Sequence, residues 1–255
     1  MLRLSFVLIT FLTVNASSLF GAEKSVLRKE YPSVPVIEVD DYVRQFDSSI
    51  TVDVRSKFEF DVIHINKAAF IPAGTAGFLG ELEKLRAKTD NKMLVLYCNG
   101  FKCRKSFDSA KQALGSGFVN VKVLDAGPLG VLEKDPGKVV LLGKNPADKK
   151  DFIGEEEYVS KQVSWDDFKK DESDANSVYI DVRDPSQRSK PVAIKGIRQI
   201  QLDKMLPLLE AGQFKDKKLY FVDAVGKQNE WLQFYLKKYN YTNYKFLKGG
   251  VDALK

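Results

Sequence analysis

Cys98 stands at the end of the apolar run Met93-Leu94-Val95-Leu96-Tyr97 and opens the segment Cys98-Asn99-Gly100-Phe101-Lys102-Cys103-Arg104-Lys105-Ser106. A thiol so placed is a candidate nucleophile, because the thiolate is the reactive form and a small loop entering a helix stabilises anions. Gly100 allows the chain to curl, so that successive backbone N–H groups can converge on the sulfur. Ser106 is placed to cap the helix that follows, whose positive end faces the same point. Together these features lower a thiol pKa below its free value of about 8.5 without a histidine. Lys102, Arg104 and Lys105 add positive charge that suits an anionic substrate. The competing reading is a cysteine that serves as a small core hydrophobe.

The elements needed to position this loop are written in the flanking residues. Strand-like apolar runs alternate with helix-like stretches along the chain, which predicts parallel α/β architecture. In such sheets ligands sit beyond the carboxyl ends of the strands, where Cys98 lies and where Asp53-Val54-Arg55 ends another run. Phe107, Ala110, Ala113 and Leu114 give the following helix an apolar face, and Gly115 to Gly117 end it. The pattern then repeats at a period of about 125 residues. Val36 to Val43 parallels Gln162 to Lys169, Ser49 to Arg55 parallels Ser177 to Arg183, and Gly117 to Leu124 parallels Tyr239 to Leu247. In this alignment Asp223 takes the place of Cys98, so one copy has the thiol and the other a carboxylate.

Composition narrows the function classes. The chain has 255 residues, 44% hydrophobic and 29% charged, enough for two ordinary domains. Its formal charge of +6 comes from lysines spread along the sequence, without the basic stripe of a nucleic-acid binder. The single histidine, His64, excludes His-rich metal sites, and no metal is expected. Both cysteines lie in the Cys98 loop, where a bridge closing so short a ring adds little stability, so chemistry explains them better. Residues 1–22 read as an export signal: Arg3, an apolar stretch from Leu4 to Leu12, then small residues with cleavage near Ala16 or Ala22. The mature protein is expected in the periplasm or secreted, with no stable membrane insertion, since no later run approaches about 20 apolar residues. The domains are drawn at 23–134 and 161–255, joined by a partly ordered linker, 135–160, in which Val139-Val140-Leu141-Leu142 is a buried run.

The chain resembles the tandem rhodanese-like proteins of the sulfurtransferase fold family. The resemblance rests on Asp53-Val54-Arg55 and Asp181-Val182-Arg183, on Val62 to Pro72, on the strand-cysteine-loop-helix unit at Cys98, and on Val121 to Gly127 and Tyr244 to Gly250. It implies two small, mainly parallel sheets flanked by helices, and a persulfide cycle. In that cycle Cys98 takes sulfane sulfur from a small anionic donor such as thiosulfate or polysulfide and passes it to a thiol, cyanide or protein acceptor. Asn99, Gly100, Phe101, Lys102, Cys103 and Arg104 are then substrate-binding, with Arg55 lining the pocket or tying strand to loop. The resemblance implies no separate cofactor, because the sulfur is carried covalently, and a mostly structural His64, although Ile63 replaces the family's usual glycine.

Two departures matter. Five residues separate Cys98 from Arg104, the Cys-x5-Arg spacing of the related dual-specificity phosphatases and some arsenate reductases, in which a larger loop holds a tetrahedral oxyanion and the arginine clamps it. Tyr97 stands where the phosphatases place a histidine, and the loop is closer to the Cys-Asn-Gly-x-x-Cys-x-x-Ser version of exported rhodanese-like proteins, with Phe101 where proline is common. Oxyanion chemistry and a non-turnover sulfur carrier therefore stand as alternatives. The second departure is Cys103, either a redox partner that resolves a persulfide or sulfenate on Cys98, or a small residue facing the helix. Asp223 makes the second copy a structural partner walling the cleft.

Overall fold

The apolar runs become strands and the amphipathic stretches become the helices between them. A computed structural model describes residues 26–89 and 91–254; the expected export signal lies outside the described residues. In the first copy the order is α1 (Leu27–Glu30), α2 (Val39–Arg44), β1 (Ser49–Asp53), α3 (Lys57–Val62), β2 (Ile63–Ile65), β3 (Ala69–Phe70), α4 (Phe78–Arg86), β4 (Met93–Tyr97), α5 (Lys105–Gly115), β5 (Val121–Leu124) and α6 (Gly127–Lys134). The connecting region holds β6 (Val139–Leu141) and α7 (Glu155–Ser160). The second copy follows with β7 (Gln162–Val163), α8 (Trp165–Lys169), β8 (Ser177–Asp181), β9 (Arg198–Gln199), α9 (Leu202–Glu210), β10 (Lys218–Val222), α10 (Lys227–Lys238) and β11 (Tyr244–Leu247).

The first sheet has the order β3-β1-β4-β5 and the second β7-β11-β10-β8-β9, and every pairing within them is parallel. The repeat is thus structural: β1 and β4 pair as β8 and β10 do, and Val36 bridges Val123 where β7 pairs β11. Parallel strands covered on both faces bury every side chain, and β4 is buried at all five positions. That is why its sequence is a continuous apolar run and not an alternating one.

Of the linker run Val139 to Leu142, Val139 and Leu141 are buried and Val140 and Leu142 half-buried; β6 pairs antiparallel with β2, so Ile63 faces Leu141 and Ile65 faces Val139. One apolar cluster runs from Val95 and Tyr97 of the first sheet through Trp231 and Phe234 of α10 to Phe221 and Phe246 of the second. The copies therefore share a core. A second cluster, on the other face of the first sheet, contains Cys98 with Phe107, Ala110 and Ala113 of α5.

Candidate active site

The register of β1 against β4 sets Asp53 beside Tyr97, so the residues that follow both strands emerge at one end of the sheet. Cys98 follows Tyr97 directly and is 1% exposed. It is joined to Cys103 in a disulfide, with the two Cα atoms 6.1 Å apart. Gly100 turns the loop at φ +147°, and the Cys103 N–H donates to the Gly100 carbonyl at 2.9 Å. The neighbouring wall is the start of α6, where Gly127, at φ +61°, lies so close that any side chain would strike the Cys98 carbonyl.

Arg55 fixes the loop from below. Its guanidinium is buried, donates to both Asp53 carboxylate oxygens at 2.7–3.2 Å and to the Ile63 carbonyl, and reaches the Asn99 Oδ1 at 3.1 Å. Burial works against its charge, but Asp53 beside it overcomes this and holds its pKa above the ordinary arginine value. The Tyr97 hydroxyl donates to Asp53 and accepts from the Ile65 N–H at 3.1 Å, so the pair has no unmet buried polar group at that oxygen. Asn99 also donates to Glu59. Glu59 is the third residue of α3 and closes a capping box with Ser56. Burial pushes its carboxyl up, yet hydrogen bonds from Ser56 and Asn99 and the nearby Arg55 charge bring it below the usual glutamate value.

The second copy supports this assembly from outside. Trp231 of α10 lies under the Arg55 guanidinium, 5.9 Å from ring centroid to the central carbon, and Tyr235 stacks on Phe58 of α3 at 5.6 Å. Asp53 stands where the Asp53-Val54-Arg55 motif placed it, and Glu59, Phe58 and Trp231 join the predicted residues. Of these three, the capping pattern Ser56-Lys57-Phe58-Glu59 is a local signal for Glu59 alone.

Other predicted residues are placed differently. Arg104 turns away from the loop: its guanidinium pairs with Glu30 and contacts the Tyr31 hydroxyl at 3.5 Å, and its side chain is 56% exposed. The expected clamp over Cys98 is not formed, because a carboxylate of α1 offers that charge a partner in solvent. Ser106 is no helix cap. Arg104 already adopts helical angles after the bridged Cys103, α5 begins at Lys105, and Ser106 is buried within its first turn. Lys102 is exposed and Phe101 partly buried. His64 stacks on Phe60 at 3.9 Å, with its Nδ1 2.8 Å from the Phe60 carbonyl, and burial lowers its pKa. It has a structural place.

At the matched position in the second copy, the Asp223 carboxylate is buried and accepts three backbone N–H bonds, from Gly226 at 2.6 Å, Gln228 at 2.7 Å and Asn229 at 3.0 Å. Burial raises its pKa while those donors oppose the rise. This strand end and helix start form an anion site, filled by the chain itself. Gly250, at φ +66°, backs that loop as Gly127 backs the first: a side chain there would strike the Ala224 carbonyl.

Among the described residues no cluster of three His, Cys, Asp or Glu side chains is arranged to hold a metal, and no helix is long and apolar enough to cross a membrane.

No curated protein matches the chain. Among solved structures, the BH2092 protein from Bacillus halodurans is 22% identical, with a TM-score of 0.38 over 52% of this chain and 95% of its own. A thiosulfate sulfurtransferase from Pseudomonas aeruginosa is 16% identical, with a TM-score of 0.38 over 89% of this chain and 45% of its own. An As-Sb reductase from Leishmania major is 18% identical, with a TM-score of 0.35 over 49% of this chain and 90% of its own. The family described as Rhodanese-like domain matches residues 38–133 and 164–255. Matched once in each copy of the repeat, the chain belongs to the rhodanese-like family.

Proposed function

We propose that the protein is a sulfurtransferase that works through a persulfide on Cys98. The observation that carries this reading is the contrast between matched loops: the second gathers three N–H groups onto a buried carboxylate, and the first puts a thiol at the same strand end. A site that stabilises an anion stabilises both a thiolate and a persulfide. The bridged form is the resting oxidised state, so a thiol reductant first frees Cys98.

The Cys98 thiolate then attacks the outer sulfur of thiosulfate; the sulfur–sulfur bond breaks, and sulfite leaves with the electron pair. Polysulfide reacts in the same sense and releases a shorter chain. An acceptor thiolate, cyanide or acceptor protein next attacks the outer sulfur of Cys98–S–S⁻, and the Cys98 thiolate leaves. Arg55, Asn99 and Glu59 act as positioning residues, holding the loop against the strand end. The exposed lysines Lys102 and Lys105 favour an anionic donor by their charge. Export, cleavage near Ala16 or Ala22 and a periplasmic or secreted location complete the proposal. Tethering of Arg104 to Glu30 favours sulfur over an oxyanion substrate, since the oxyanion reading needs that arginine on the loop.

The test is mass spectrometry of the intact reduced chain after exposure to thiosulfate or polysulfide. A gain of about 32 Da per sulfur is expected for the wild type and none for Cys98→Ser. Absence of any gain with both donors would overturn the assignment.

A further inference from the structure

Cys103 has no part in the transfer steps above, yet it is covalently joined to the nucleophile. Its Cα lies 6.1 Å from that of Cys98, inside the range that a bridge accepts, and Gly100 supplies the turn that brings it there. The two sulfurs differ in access: Cys98 is 1% exposed, while Cys103 is only partly buried. Cys103 also lies two residues before α5, next to the exposed Lys102, at the open side of the loop.

We infer that Cys103 is an internal acceptor that resolves the Cys98 persulfide and makes the protein a dithiol-dependent reductase of sulfane sulfur. This rests on the persulfide reading above. The Cys103 thiol gives up its proton as its sulfur attacks the inner sulfur of Cys98–S–S⁻; the Cys98–Cys103 bond forms, the sulfur–sulfur bond of the persulfide breaks, and the outer sulfur leaves with the electron pair and that proton as hydrosulfide. An external dithiol resets the site. Its first thiolate attacks the accessible Cys103 sulfur and expels Cys98 as the thiolate, and its second thiol closes the reductant's own disulfide and frees Cys103. The buried sulfur is thus the leaving group, as a site that stabilises its anion requires. Thiosulfate and a dithiol are consumed; sulfite, hydrogen sulfide and the oxidised dithiol are produced.

The full chain, reduced with dithiothreitol, freed of it under anaerobic conditions and given thiosulfate without further thiol, separates the outcomes. The wild type is expected to release about one sulfide per chain and to finish about 2 Da lighter than the reduced protein, whereas Cys103→Ser and Cys103→Ala retain about 32 Da and release no sulfide. If the wild type keeps the added sulfur as long as these variants do, the inference is wrong and the persulfide reading stands. If neither the wild type nor either variant gains or releases sulfur, the persulfide reading has failed and takes the inference with it.

Discussion

The loop after β4 and the loop after β10 occupy one place in two copies of a fold, and they use it in opposite ways. The second spans 223–226 and closes on its own aspartate; the first spans 98–104, three residues longer, and carries the bridged pair. The arginines beneath them diverge as well. Arg183 pairs with Asp181 at 2.8 Å and sends its remaining nitrogen to the Gln187 and Lys190 carbonyls, whereas Arg55 sends the same nitrogen to Asn99 in the Cys98 loop. Strand end and helix start are enough to create an anion site. What fills it, and what the arginine beneath it holds, separates a structural cap from the proposed nucleophile.

The largest effect should come from removing the feature that distinguishes the loops. Cys98→Ser is expected to lower thiosulfate-dependent sulfur transfer by about 10³-fold or more, read as persulfide formation or cyanide-dependent thiocyanate production. Adding Asp223→Cys to that variant should restore nothing, because the second loop lacks the Arg55–Asn99 link and the added residues. Recovery of transfer would show that the loops are interchangeable and break the comparison.

The reciprocal change should appear in stability. Asp223→Ala leaves two buried N–H groups and a half-buried one without their acceptor and is expected to cost about 2–3 kcal/mol in denaturant unfolding. Cys98→Ala, compared under reducing conditions, should cost about 1 kcal/mol, the ordinary effect of trimming a small buried side chain. Equal losses in the two variants would mean that the first loop also depends on its residue mainly for structure.

Much of this contrast was legible in the residues, and the reasons for the remainder are physical. Fully buried parallel strands are written as continuous apolar runs, so Met93 to Tyr97 and Leu219 to Val222 were readable, and their recurrence exposed Asp223 as the counterpart of Cys98. Direction in space was not readable. Arg104 lies within the loop's sequence, yet its partner Glu30 comes from α1. Asn99 and Glu59 meet across 40 positions, and Trp231 reaches Arg55 from the other copy. Ser106 matched the composition of a cap, but a cap also needs extended angles at its position, and the helix already begins at Lys105, before it.

A smaller effect should follow from cutting the link specific to the first loop. Asn99→Ala frees the loop from both Arg55 and Glu59, and persulfide formation is expected to slow on the order of tenfold, with a stability cost of about 1 kcal/mol. Glu59→Gln probes the same link through pH. Because the folded Glu59 titrates below the ordinary 4.5, its contribution is present above that value and is lost as pH falls through the folded pKa. The stability gap between wild type and Glu59→Gln should therefore be full at neutral pH and close in acid. A gap that persisted unchanged in acid would assign the effect to packing.

The smallest effect is expected at Arg104, and it tests the chemistry assigned to the longer loop. The guanidinium is more than half exposed and paired with Glu30, and solvent and salt screen such surface pairs. Arg104→Ala should therefore leave the denaturant unfolding midpoint nearly unchanged and alter sulfur transfer by about twofold, the latter through lost positive charge near an anionic donor. A clamp on a tetrahedral oxyanion would behave otherwise: turnover of arsenate or an aryl phosphate would appear in the wild type and fall sharply in both Arg104→Ala and Arg104→Lys, since lysine cannot reproduce the two-pronged contact. A large loss of sulfur transfer in Arg104→Lys would mean that the side chain leaves Glu30 and swings over Cys98 during the reaction, and that the added length of the first loop exists to let it do so.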